Sequence, residues 1–192
     1  MRLSQSAPRG RTYLSVCALE SRSQPAGIVT ASLVNGVLTL TGDDAANVIT
    51  NLNLGAGTTT ITPDATTTID DLGVAGPGTV NTPVSITGIV TSLKVAMKGG
   101  NDSITSDPAA PISLASGIAI DLGDGNNVFN FTTSTKIDLA SVSVKAGDGN
   151  DTFTIRGGAG LGNQVVGSGS SPSALATAQR RCATPRSPDQ RV

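Results

Sequence analysis

The chain has no histidine and no tryptophan, and aromatic residues make up 2% of its 192 positions. Without histidine, the usual general base near neutral pH is absent. A Ser-His-Asp arrangement therefore has no members, and no serine or cysteine sits in a pattern that supplies another base. So few large rings argue against a conventional globular core. A stacked repeat does not need them, because each unit packs small branched side chains on its neighbours. There are two cysteines, Cys17 and Cys182, and both lie outside the patterned region, which is no disulfide framework. No apolar run approaches the ~20 residues of a membrane helix. A phosphate loop is also lacking. Gly157-Gly158-Ala159-Gly160-Leu161-Gly162 looks like a dinucleotide fingerprint only superficially, since no helical pattern follows it. The expectation is a protein that is not an enzyme.

The net charge of −1 hides a partition. Residues 1–25 carry four Arg and one Glu, residues 26–166 twelve acids and five bases, and residues 167–192 four Arg and one Asp. The acidic centre excludes the basic face that nucleic-acid binding needs. It leaves room for a divalent cation, or simply keeps a β surface soluble.

What the centre does contain is Thr, Val, Ile, Gly, Asn and Asp. β-Branched residues favour strands, while Gly, Asn and Asp favour turns, so the fold class is all-β. Residues 1–27 read as a leader or flexible arm, 28–166 as a β-repeat domain, and 167–192 as a disordered, off-pattern tail. The N-terminal apolar patch Tyr13–Leu19 is short and broken by Ser15, a poor secretory signal. Asn35-Gly36 marks a two-residue hairpin turn, and Val37–Thr41 alternates with period two after it. Further strands are expected at Asn47–Thr50, Thr58–Thr62 and Thr66–Ile69, with a loop from Gly73 to Pro83.

From Val84 the pattern repeats. Val95–Thr105, Ile120–Asn130 and Val144–Thr154 align with one another, and the corresponding turn residues Asp102, Asn127 and Asp151 are 25 and 24 residues apart. A degenerate copy, Leu40–Thr50, is centred on Asn47, 55 residues before Asp102, so that one intervening coil is missing or too divergent to see. One period holds three strand candidates: Ile118–Leu122, Val128–Phe131 and Ile137–Ala140. Three strands in a period of 24–25 residues outline a parallel β-helix, a solenoid in which each coil lies on the last. An antiparallel β-sandwich is the alternative. No cap is evident after Thr154-Ile155, which predicts exposed strand edges and edge-to-edge self-association. The abrupt change after Val166 suggests a truncated or frame-shifted end to a longer array.

The sharpest motif is Ala146–Thr154, A-G-D-G-N-D-T-F-T, which departs only at its first position from the calcium-binding nonapeptide G-G-x-G-x-D-x-U-x. Glycines let such a turn point its carbonyls inward, and a carboxylate adds charge, which suits calcium's need for several hard oxygens. The candidate calcium ligands are Gly147, Asp148, Gly149 and Asp151 here, Asp124 and Asn127 in the preceding copy, and Asp102 in the one before. Alternatively, the same residues merely shape and cap the corners of a β coil.

These turns resemble the haemolysin-type (RTX-like) calcium-binding repeat. The segments Val34–Thr50 and Ala18–Ala26 resemble long secreted surface proteins of planctomycete-type bacteria. The resemblance spans Ala18 to about Val166, although the period departs from that of haemolysin-type rolls. It implies export, an extracellular or cell-surface location, matrix or surface partners, and no catalysis. The expected function is thus a structural or adhesive β-repeat protein, possible calcium ligation included. Two alternatives stand beside it. One is a polysaccharide-cleaving β-helix using Asp121, Asp124, Asp148, Asp151, Lys145 and Arg156. The other is a fragment of a longer surface protein without independent function.

Overall fold

The computed structural model describes residues 27–72, 78, 80–108, 110–158 and 164–169, the last six by backbone alone. The expected leader, Cys17, Cys182 and the tail beyond residue 169 lie outside the described residues, as does most of the loop expected at 73–83. The described residues form an all-β structure with no helix. No helix among them is therefore long and apolar enough to cross a membrane.

The N-terminal hairpin follows from its turn. Asn35 and Gly36 both have positive φ, at 51° and 78°. This left-handed pair matches the twist of the flanking strands. β1 (Gly27–Val34) and β2 (Val37–Thr41) accordingly pair antiparallel. β3 (Val48–Leu54) pairs antiparallel with β4 (Thr58–Pro63). β5 (Thr67–Asp71) returns parallel to β1, and β6 (Val84–Thr87) lies antiparallel to β4.

Beyond residue 91 the pairing changes character. β7 (Ser92–Ala96), β10 (Gly117–Asp121) and β13 (Val142–Lys145) pair parallel in one six-stranded sheet. β8 (Ser103–Ser106), β11 (Val128–Thr132) and β14 (Asp151–Arg156) do the same in a seven-stranded sheet. β9 (Ile112–Leu114) and β12 (Ile137–Leu139) form a third, two-stranded sheet. The pairing register is the sequence period itself: Ile104 lies beside Phe129, and Phe129 beside Phe153.

The strands of the repeat, β7 to β14, largely alternate buried and outward-facing residues, and equivalent residues stack into columns. Leu40, Val95, Ile120 and Val144 form one column, and Ile49, Ile104, Phe129 and Phe153 another. All three phenylalanines are buried. Phe129 stacks on Phe131 and Phe153, with ring centroids 6.1 and 5.6 Å apart. Stacked rings and branched side chains thus supply the apolar burial that a chain so poor in aromatics would otherwise lack.

Of the two alternatives for the interval between Asn47 and Asp102, the coil is missing rather than divergent, because β2 pairs directly with β7 and β3 with β8. The long interval is instead an excursion from Gly55 to Thr91, which carries β4, β5 and β6 and covers the first end of the stack. At the other end, β15 (Gln164–Gly169) runs three residues past the expected boundary and pairs antiparallel with β14. It is the terminal strand of the seven-stranded sheet, as β13 is of the six-stranded one.

Candidate functional site

The Gly/Asp/Asn turn connects β2 to β3, β7 to β8, β10 to β11 and β13 to β14, each time from the six-stranded sheet to the seven-stranded one. It occurs four times, and the structure brings the four copies into register. Asp102, Asn127 and Asp151 form one column with Asn47 as its first rung. All four are buried, none more than 3% exposed.

The column is held by side chains reaching back one coil. Asp102 Oδ1 accepts the backbone N–H of Asn47 at 2.8 Å, Asn127 Oδ1 accepts that of Asp102 at 2.8 Å, and Asp151 Oδ1 accepts that of Asn127 at 3.1 Å. Backbone bonds run alongside. Ser103, Val128 and Thr152 donate to the carbonyls of Asn47, Asp102 and Asn127 at 2.8–2.9 Å. The amide nitrogen of each Asn reaches its own loop, and that of Asn47 also donates to Asp102 Oδ1 at 3.1 Å. Asn47 Nδ2 donates to Ala45 O at 2.7 Å, and Asn127 Nδ2 reaches Gly123 O and Gly125 O at 3.4 Å.

A second ladder runs on the exposed side of the turn with the opposite sense. Asn101 Oδ1 accepts Asn126 N–H at 2.8 Å, and Asn126 Oδ1 accepts Asn150 N–H at 2.9 Å. Asp124 Oδ1 accepts Asp148 N–H at 2.9 Å in the same way. Asn101, Asn126 and Asn150 were not singled out from the sequence. Their signal was present, since each directly precedes a residue of the inner column.

The glycines permit the close stacking. Gly149 has φ 134°, and a Cβ there would run into the Gly125 carbonyl oxygen. Gly147 donates its N–H to Gly123 O at 2.8 Å, and a Cβ on it would meet Asp124 Oδ1. At Gly149 the left-handed backbone and the close approach act together, and only glycine fits both. The turn also has constant length. Nine residues separate Leu40 from Ile49, Val95 from Ile104, Ile120 from Phe129, and Val144 from Phe153.

The seven residues offered to calcium therefore occupy defined places. Asp102, Asn127 and Asp151 lie in the buried column, Asp124 and Asp148 are paired on the exposed side, and Gly147 and Gly149 lie against the coil below. Among the described residues, no three His, Cys, Asp or Glu side chains gather into a group that could hold a metal ion. Asp121 and Lys145 meet in an exposed ion pair at 2.8 Å, which is worth little to stability.

Three column oxygens have no hydrogen-bond partner: Asn47 Oδ1, Asp102 Oδ2 and Asp151 Oδ2. Asn47 is the first rung, so no earlier copy of the turn supplies an N–H to it. Burial pushes the Asp102 carboxyl up to about 6. Hydrogen bonds from the Asn47 backbone and side chain oppose that rise, and the charge of Asp43 adds to it.

Compared with known protein families, curated proteins and solved structures, the chain matches none.

Proposed function

We propose that this chain is a non-enzymatic structural module, a parallel β-helix of about 24–25 residues per coil, that serves as an extracellular or cell-surface scaffold. What supports the reading is the inner column. Its polar side chains join successive coils, and its rungs coincide with the sequence repeat. A chain that commits its most distinctive residues to interlayer bonds is organised around the stack rather than around a ligand. The parallel register at 24 and 25 residues supports stacked coils over a sandwich, whose neighbouring strands are mostly antiparallel. The surface location rests on the resemblance to secreted repeat proteins. In this role the turns hold their shape through hydrogen bonds, and calcium is not required of them.

Two measurements on the full chain test this. The first is thermal melting in EGTA and in millimolar calcium, with calorimetric titration of the metal. Equal melting temperatures and no calcium heat are expected, whereas a calcium-dependent rise of several degrees would return the turns to a cation role. The second is a screen against pectate- and alginate-like polymers with calcium present. Release of unsaturated products would overturn the non-enzymatic reading.

A further inference from the structure

Three stretches of the chain read Asn-x-Ser/Thr: Asn101-Asp102-Ser103, Asn130-Phe131-Thr132 and Asn150-Asp151-Thr152. At this pattern a sugar can be joined to the asparagine side chain of an exported protein. The amide nitrogen is a poor nucleophile, because its lone pair is delocalised into the carbonyl. A transferase must therefore grip the segment, and the hydroxyl two residues on provides the grip. The fold treats the three stretches differently. Asn130 is half-buried within β11, flanked by Thr105 and Thr154 of the neighbouring strands. Asn101 is tied down, since its Oδ1 accepts the Asn126 N–H at 2.8 Å and Gly125 of the turn above lies against it. Asn150 is the last rung of that exposed ladder. Its backbone N–H is bonded to Asn126 Oδ1, but among the described residues no further copy of the turn lies above it and its side chain has no hydrogen bond.

The local backbone presents the reacting groups together. Asp151 is buried, so the alternation of an extended chain sends Asn150 and Thr152 outward on one side, and both are exposed. Asp148, also exposed, stands two residues before Asn150 and offers a transferase a charged handle. The other two asparagines have Gly99 and Val128 at that place. We propose that Asn150 is a glycan acceptor, gripped through Thr152 and Asp148 and supplied by a sugar carried on a lipid pyrophosphate. Nδ2 attacks the anomeric carbon of the sugar. A C–N bond forms, the anomeric C–O bond breaks, the pyrophosphate leaves with that electron pair, and Nδ2 gives up one proton to the transferase.

A sugar on Nδ2 would stand where a fifth copy of the turn would stack, and it leaves every bond of the inner column in place, since Asp151 Oδ1 faces Asn127 below. Lipid-carried donors of this kind are used on the outer side of the membrane. Asn150 meets one only if the chain is exported, and to that extent the assignment rests on the extracellular role proposed above.

The test uses the full chain behind a supplied export signal, in a bacterium carrying a periplasmic oligosaccharyl transferase and its lipid-linked oligosaccharide. Supplying the export separates the acceptor site from the chain's own location. Intact mass should show one oligosaccharide per chain, and peptide mapping should put it on Asn150. Asn150→Gln and Thr152→Val should each abolish it, although valine keeps the shape of Thr152 and its backbone bond to Asn127 O. Asp148→Asn should lower the occupancy severalfold. An unmodified native chain, sugar on Asn101 or Asn130 instead, or undiminished occupancy in Thr152→Val or Asp148→Asn overturns the assignment. Mapping the native chain needs no variant and decides the acceptor even if a variant does not fold. Location is read separately, by fractionating the cells that make the chain without the added signal. A chain confined to the cytoplasm there sinks the extracellular role, while the mapped mass still decides Asn150.

Discussion

Replacing Asn127 with alanine removes one rung from the middle of the column. The Asn127 side chain accepts the Asp102 N–H at 2.8 Å and is completely buried. Alanine leaves that N–H in a dry layer between two coils, which costs about 1–3 kcal/mol for an unmade buried hydrogen bond. The lost amide atoms leave a small void, worth about 1 kcal/mol more. The Nδ2 contacts, both at 3.4 Å, are long and add little. The backbone N–H of residue 127 keeps its bond to Asp151 Oδ1. The expected loss is thus about 2–4 kcal/mol. The matched control is Asn126→Ala, one residue earlier. Asn126 Oδ1 also accepts an interlayer N–H, from Asn150 at 2.9 Å, but it is exposed and water can take its place. Its loss should be under about 1 kcal/mol. Urea denaturation with linear extrapolation resolves this difference if the slope stays constant between variants. If Asn127→Ala loses no more than Asn126→Ala, the column is not what holds the coils in register.

Phe129→Ala should cost about 3–5 kcal/mol, since it empties a fully buried position and removes both ring stacks at once; urea midpoints check it. Gly149→Ala should cost at least about 2 kcal/mol, because the left-handed backbone and the clash with Gly125 O act together. A Gly57→Ala control, also at positive φ but with open space around it, should lose clearly less when both are compared by urea midpoints.

The parts of the fold legible in the sequence are those where one local signal repeats. The positive-φ pair at Asn35-Gly36 was readable as a hairpin because turn chemistry alone decides it. The period from Asp102 to Asn127 to Asp151 became the pairing register because parallel stacking sets like residue beside like residue. In the excursion from Gly55 to Thr91 the strands at Thr58–Thr62 and Thr66–Ile69 were legible, but their partners were not. Its Thr-rich alternation marks strands but does not say which partner they choose, and β4 and β6 pair antiparallel where a coil would pair parallel. β15 was invisible for a related reason, since Gln164–Gly169 is short, Gly-rich and paired only to β14. The turn residues were found, and their chemistry was left open between calcium ligation and shaping the corners of a β coil. Gly, Asp and Asn serve both equally well in one dimension, because the N–H groups that their side chains accept lie one repeat away.

The constant nine-residue turn has a consequence for how such a chain can change. A residue added there would break bonds to the coil below and the coil above together, so that side of the molecule is closed to length variation. The opposite side is permissive. Leu114 and Ile118 are four residues apart where their partners Leu139 and Val142 are three, yet the pairing on both sides is undisturbed. The whole excursion from Gly55 to Thr91 enters on that same side, between a strand of the seven-stranded sheet and the next strand of the six-stranded one. Peptide epitopes or small domains grafted between β9 and β10, or between β12 and β13, should therefore be carried without disturbing the stack. The same insertions placed between β10 and β11 should prevent folding.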